Sequence, residues 1–116
     1  MRRSSAELEL HLRICGPRGP LFGPGKRQLL ALIAGTASLS EAARRMDMSY
    51  MRAWTLVRAM NREWRRPLVE LRRGGHRRGG AAVTPLGAEV LRLYDAIAAE
   101  SRRSTRALFT RLAKLR

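Results

Sequence analysis

Residues 38–52 read Ser38-Leu39-Ser40-Glu41-Ala42-Ala43-Arg44-Arg45-Met46-Asp47-Met48-Ser49-Tyr50-Met51-Arg52, and this stretch decides the fold. Ser38 and Glu41 stand at capping-box spacing: the hydroxyl accepts from the Glu41 amide while the carboxylate reaches back to the Ser38 amide. A short helix to Met46 is predicted. Asp47-Met48 is then a tight connector, and Ser49 caps a longer helix through about Trp64 with Trp54, Val57, Met60 and Trp64 along one stripe. Ala42 and Ala43 are small enough for the second helix to cross closely, and Leu39 and Met46 are placed to pack on Trp54 and Val57. Capped helix, tight turn and second helix form a helix-turn-helix, whose second helix enters a DNA major groove.

Upstream, residues 7–14 alternate polar and apolar, which predicts a first strand with Leu8, Leu10, Leu12 and Ile14 on one face. The glycines and prolines of 16–25 mark a loop. A helix is expected over 26–34 with Leu29, Leu30 and Ile33 inward, ended by Gly35. Downstream, Pro67 stops the second helix. Residues 68–72 and 82–84 are β-prone runs flanking a tip rich in arginine and glycine, a hairpin that reads as a wing. Thr84-Pro85 gives an N-cap followed by proline at the first helical position, launching a long final helix with Leu86, Val90, Leu93, Tyr94, Ile97, Thr105, Leu108 and Leu112 at helical spacing. The expected fold is mainly α with a small β hairpin: a winged helix-turn-helix with its N-terminal strand over 1–84, and a long C-terminal dimerisation helix over 85–116.

The 116 residues fit one domain plus one projecting element, and they carry 24 Lys+Arg against 9 Asp+Glu, a formal net charge of +15. A polyanion is the expected partner. With 45% apolar residues the chain can build a core, unlike a disordered basic tail. One cysteine and two histidines assemble neither a disulfide framework nor a zinc site, so no metal is expected. No apolar run approaches a membrane span and no signal core follows Met1-Arg2-Arg3, so a soluble cytoplasmic protein, nucleoid-associated and without a membrane partner, is expected.

Groove reading needs long polar side chains on the first turns of the recognition helix and an apolar opposite side. Ser49, Tyr50, Arg52, Thr55 and Arg58 fall off the tryptophan stripe. Tyr50 and Arg52 are the base-reading candidates, and Met51 divides between core and a thymine-methyl contact. Arg62 reads as part of a solvated face. Around the wing, Arg72, Arg73, His76, Arg77 and Arg78 among glycines suit the phosphate backbone or a narrow minor groove. An enzyme would need an acid, base or nucleophile in a pocket, and the scattered acids, the isolated Cys15 and wing glycines without a Lys-Ser/Thr ending supply none. The remaining alternative is a nucleoid-associated or RNA-binding basic module without sequence specificity. The capped turn and an aromatic content of only 5% weigh against it.

Across residues 26–98 the sequence resembles the N-terminal DNA-binding domain of the molybdate-dependent ModE transcriptional regulators, whose helix-turn-helix is similar to that of LysR-type regulators. The matching pieces are Leu29-Leu30, the run from Gly35 to Ala43, Met48-Ser49-Tyr50-Met51-Arg52-Ala53-Trp54, Met60-Asn61, the glycine pairs of the wing, Thr84 with Gly87, and Leu93-Tyr94. The resemblance implies a bacterial homodimer on a two-fold operator in double-stranded DNA, with dimer contacts from the final helix, either alone or together with the N-terminal strand. In that family tandem C-terminal oxyanion-binding domains sense molybdate. A 116-residue chain offers nowhere to house them, so no cofactor is expected, and a protein effector is the natural route to regulation.

Overall fold

The computed structural model describes residues 5–72 and 80–116. Its elements run β1 (Ile14–Gly16), β2 (Gly19–Phe22), α1 (Pro24–Thr36), α2 (Leu39–Arg45), α3 (Tyr50–Glu63), β3 (Val69–Arg72), β4 (Gly80–Val83) and α4 (Pro85–Ala113). This is a winged helix-turn-helix with a long C-terminal helix. Among the described residues no helix is long and apolar enough to cross a membrane.

Three helices close around one core because each contributes an apolar stripe at helical spacing. Leu29, Leu30 and Ile33 of α1, Leu39 and Ala42 of α2, and Ala53, Val57 and Met60 of α3 are all fully buried. Leu68, Val69 and Ala81 add the base of the β3–β4 hairpin, while Val90 and Tyr94 add the first half of α4. Phe22 of β2 plugs the remaining side, meeting Tyr94 edge-on at 5.0 Å and Trp64 at 6.2 Å between ring centroids. The stripe on α3 differs slightly from expectation: Ala53 is buried, whereas Trp54 and Trp64 are only half-buried at its margins.

The N-terminal strand is shorter and later than the alternation over 7–14 predicts. Only Ile14 of that run enters a ladder, where β1 pairs antiparallel with β2 (Ile14↔Phe22, Cys15↔Pro20, Gly16↔Gly19), a hairpin within the stretch expected as loop. The residues before it find a helix as their partner instead. The Tyr94 hydroxyl donates to the Leu12 carbonyl at 2.7 Å, and Leu8 lies in a hollow with Arg102, Arg106 and Phe109. One-sided burial against α4 produces the same period of two that pairing in a sheet would.

Helix α1 also runs past Gly35 to Thr36. Ala37 takes the left-handed position at φ 55°, its amide bonding Ile33 O at 2.8 Å and its carbonyl accepting from Ala81 N at 3.1 Å. Tertiary pairing with the wing strand therefore sets this terminus, where a local reading favours glycine. The Ser38 cap forms, accepting from Glu41 N at 3.0 Å, but the reciprocal half does not. The Ser38 amide turns to Thr36 Oγ1 at 3.3 Å, leaving the Glu41 carboxylate to two arginines.

The wing and α4 are seated by two close fits. Asn61 Oδ1 accepts from Leu68 N (2.8 Å) and Val69 N (3.1 Å), and its Nδ2 donates to Val69 O at 2.9 Å, so one side chain serves β3 as a partner strand would. Thr84 caps α4 by accepting from Gly87 N at 3.0 Å, as the Thr84-Pro85 pair predicts. At Gly87 itself a Cβ would stand 2.3 Å from Leu68 O, so only glycine permits this crossing.

Candidate nucleic-acid interface

The α2–α3 turn is built by backbone bonds that local sequence makes available. Met46 N reaches back to Ala42 O and Ala43 O, Asp47 takes a left-handed φ of 55°, and Met48 N bonds Ala43 O at 3.0 Å. Aspartate tolerates that conformation better than most residues. Ser49 then accepts from Arg52 N at 3.1 Å, opening α3 with a formed cap.

Advancing 100° per residue from the buried line of Ala53, Val57 and Met60, the opposite side of α3 presents Met51, Thr55, Arg58 and Arg62. All four are exposed, as are Ser49, Tyr50 and Arg52. Tyr50 retains 42% of its surface and Met51 62%, which resolves Met51 as a surface residue. Arg52 borders the outward line, whereas Tyr50, on the other side, projects nearer to the buried line beside Val57. Thr55 donates its hydroxyl to Met51 O at 2.8 Å, leaving its methyl and oxygen lone pairs facing out. The Arg58 guanidinium lies 4.8 Å from the Trp54 ring centroid, a cation–π contact that holds it extended along the helix. Arg62 shares the outer face with the expected contact residues.

Charge on this face is uncompensated. No Asp or Glu lies between Asp47 and Glu63, and among the described residues Arg52, Arg58 and Arg62 form no ion pair. The arginines of α2 contrast with this: Glu41 binds Arg44 at 2.6 Å and Arg45 at 3.0 Å. Hydrogen bonds from those two guanidinium groups hold the Glu41 carboxyl down at about 2. Positive potential is thus muted on α2 and left free on α3.

Arg72 closes β3, exposed at the edge of the wing. Arg73, His76, Arg77 and Arg78 lie outside the described residues. A second basic surface, which sequence reading does not single out, adjoins α3 on its Arg52 side. There a cavity of about 370 Å³ is lined by Arg13, Lys26 and Arg52 together with Gly23, Met48 and Leu56. Its three cations come from β1's approach, α1 and α3, so no local motif announces it. Among the described residues no group of three or more His, Cys, Asp or Glu is arranged to hold a metal ion.

No family model matches the chain. Among characterised proteins it is similar to the molybdenum-pterin-binding protein MopB of Rhodobacter capsulatus, with 42% identity over 81 residues, which cover 70% of this chain and 30% of that protein. The transcriptional regulator ModE of Haemophilus influenzae is 38% identical over 87 residues, 75% of this chain and 34% of the relative. The DNA-binding transcriptional dual regulator ModE of Escherichia coli is 36% identical over 94 residues, 80% of this chain and 35% of its own length. The chain spans about a third of the length of these relatives.

Proposed function

Since the chain carries a ModE-like domain, we propose that it is a transcriptional regulator that binds specific sites in double-stranded DNA as a homodimer. Helix α3 enters the major groove with its Thr55 side leading. Tyr50 and Arg52 reach base edges from its first turn, Met51 meets thymine methyls, and Ser49 and Arg58 help to fix the helix on the backbone. The wing, through Arg72, Arg73, His76, Arg77 and Arg78, holds phosphates or the minor groove. The observation that carries this reading is the division of α3 itself: a fully buried line of Ala53, Val57 and Met60 against an outer face of long polar side chains with no acid among them. A helix that is merely structural has no need of uncompensated cations, whereas one entering a polyanion's groove does.

The dimer reading is supported by α4, where Leu93, Ile97, Leu108 and Leu112 keep 47%, 46%, 62% and 64% of their surface exposed. A second copy would cover this stripe and place two α3 helices on an operator with two-fold symmetry, about one DNA turn apart or a multiple of it. Such a protein works in the bacterial cytoplasm, on the nucleoid, and is controlled by a protein effector docking on it.

The test is selection of bound duplexes from a random pool, followed by Arg52→Ala on the winning site. A loss of about 1–3 kcal/mol with relaxed preference at one position per half-site is expected. Equal binding to selected and unrelated duplex by the wild-type chain would overturn sequence-specific reading and leave a basic module.

A further inference from the structure

Outside α3 and the wing, one basic feature has no structural use: the cleft between the β1–β2 hairpin, the start of α1 and the first turn of α3. Arg13 is exposed and forms no ion pair among the described residues, and no carboxylate lines the cavity it shares with Lys26 and Arg52. Lys26 spends one proton on Leu21 O at 3.1 Å, which positions the ammonium where hairpin and helix meet. Cations gathered without a counter-charge repel one another, and an anion seated between them relieves that repulsion. Steric access is open: Gly23 has no side chain to cap α1, and a Cβ at Gly25 would meet nothing within 4 Å.

Resting on the duplex reading above, we propose that Arg13 and Lys26 bind a phosphodiester of the DNA backbone that borders the groove entered by α3. The chemistry recognised is a singly charged tetrahedral phosphate ester. Arg13 brings a planar fork suited to two phosphate oxygens, and Lys26 a point charge. Arg52, on the wall toward α3, ties the site's position to the base-reading helix. The N-terminal hairpin is then a second gripping element, and it adds affinity without adding sequence preference.

The experiment measures duplex binding by the full chain against salt for wild type, Arg13→Gln and Arg13→Lys, with phosphate-ethylation interference on the selected site. Expected for Arg13→Gln is a slope of log affinity against log salt shallower by about one, since each neutralised phosphate contributes roughly 0.9. Affinity should fall by the same factor on selected and unrelated duplex, and one interfering phosphate should vanish. Arg13→Lys should keep the wild-type slope. An unchanged slope and unchanged interference in Arg13→Gln, with wild-type binding intact, overturns the cleft and leaves the α3 reading standing. Absence of wild-type duplex binding at every salt overturns both. A third arm adds inorganic phosphate at constant ionic strength; displacement of duplex from wild type but not from Arg13→Gln is expected, whereas phosphate binding that depends on Arg13 yet leaves duplex affinity unchanged would assign the cleft to free anions and overturn its assignment to DNA.

Discussion

Helix α4 carries apolar residues at helical spacing on both sides of a polar interruption at residues 100–106, and its two halves meet different surroundings. In the first half Val90 and Tyr94 are 8% and 7% exposed, Gly87 is pressed onto the backbone of Leu68, and Tyr94 ties down the N-terminal segment. In the second half Leu108 and Leu112 are 62% and 64% exposed, and beyond Ala98 the helix borders the N-terminal segment at Leu8 and, at Arg102, a hollow shared with Leu10, Leu12 and the start of α1. With 29 residues the helix is about 43 Å long, longer than the core it leans on. Periodicity reports that a face will be covered; it does not report by which molecule. The Val90 and Tyr94 side of the first half stabilises the monomer, while Leu93, Ile97 and the leucines of the second half stay uncovered.

The difference can be broken first at its stable end. Gly87→Ala forces a methyl into Leu68 O, where a Cβ would sit 2.3 Å away, and should cost about 3 kcal/mol, as overpacking of tight sites does. Thermal denaturation should then show a midpoint lower by roughly 10–20 °C. A midpoint within a few degrees of wild type would mean that the α4–β3 crossing is loose and the two halves are alike.

Replacing Leu108 and Leu112 together by serine probes the other end. The monomer's unfolding free energy should move by no more than about 0.5 kcal/mol, since the substitutions uncover nothing within the chain. Sedimentation should instead show dimer giving way to monomer, along with weaker operator binding. A large loss of monomer stability would show the distal half packed within its own chain.

The smallest effect sharpens the comparison through acid. Arg27 donates two bonds of 2.9 Å to Asp95, linking α1 to the first half of α4, and these bonds hold the Asp95 carboxyl below its ordinary value. Its stabilisation is complete above the ordinary carboxylate range and is lost as pH falls through the lowered value. Because both side chains are about two-fifths exposed, at 40% and 43%, Asp95→Asn should cost less than about 1 kcal/mol at neutral pH. The variant's loss of stability on acidification should be correspondingly shallower than wild type's, read from denaturant midpoints between neutral pH and pH 3.

What the sequence discloses follows the range of the forces involved. The helix starts at Ser38, Ser49 and Thr84 are legible because a hydroxyl and an amide three residues on make the whole structure of a cap. The end of α1 is not, because Ala37 is held by a bond from Ala81, far along the chain. The strand expected over 7–14 is misplaced because burial against a helix and pairing in a sheet leave the same alternation. Within the interface, the exposed residues of α3 are legible as the complement of its apolar stripe. The cleft beside them is not, since Arg13, Lys26 and Arg52 meet only after the hairpin and two helices have packed.

Asn61 bolts the wing's first strand to the last turns of α3 through three bonds from one amide. Helix and wing base are consequently a single rigid caliper whose jaw spacing is preset. A duplex gripped by such a tool must do the yielding, so base pairs the protein never touches would still influence binding through how cheaply they let the grooves widen, narrow or bend.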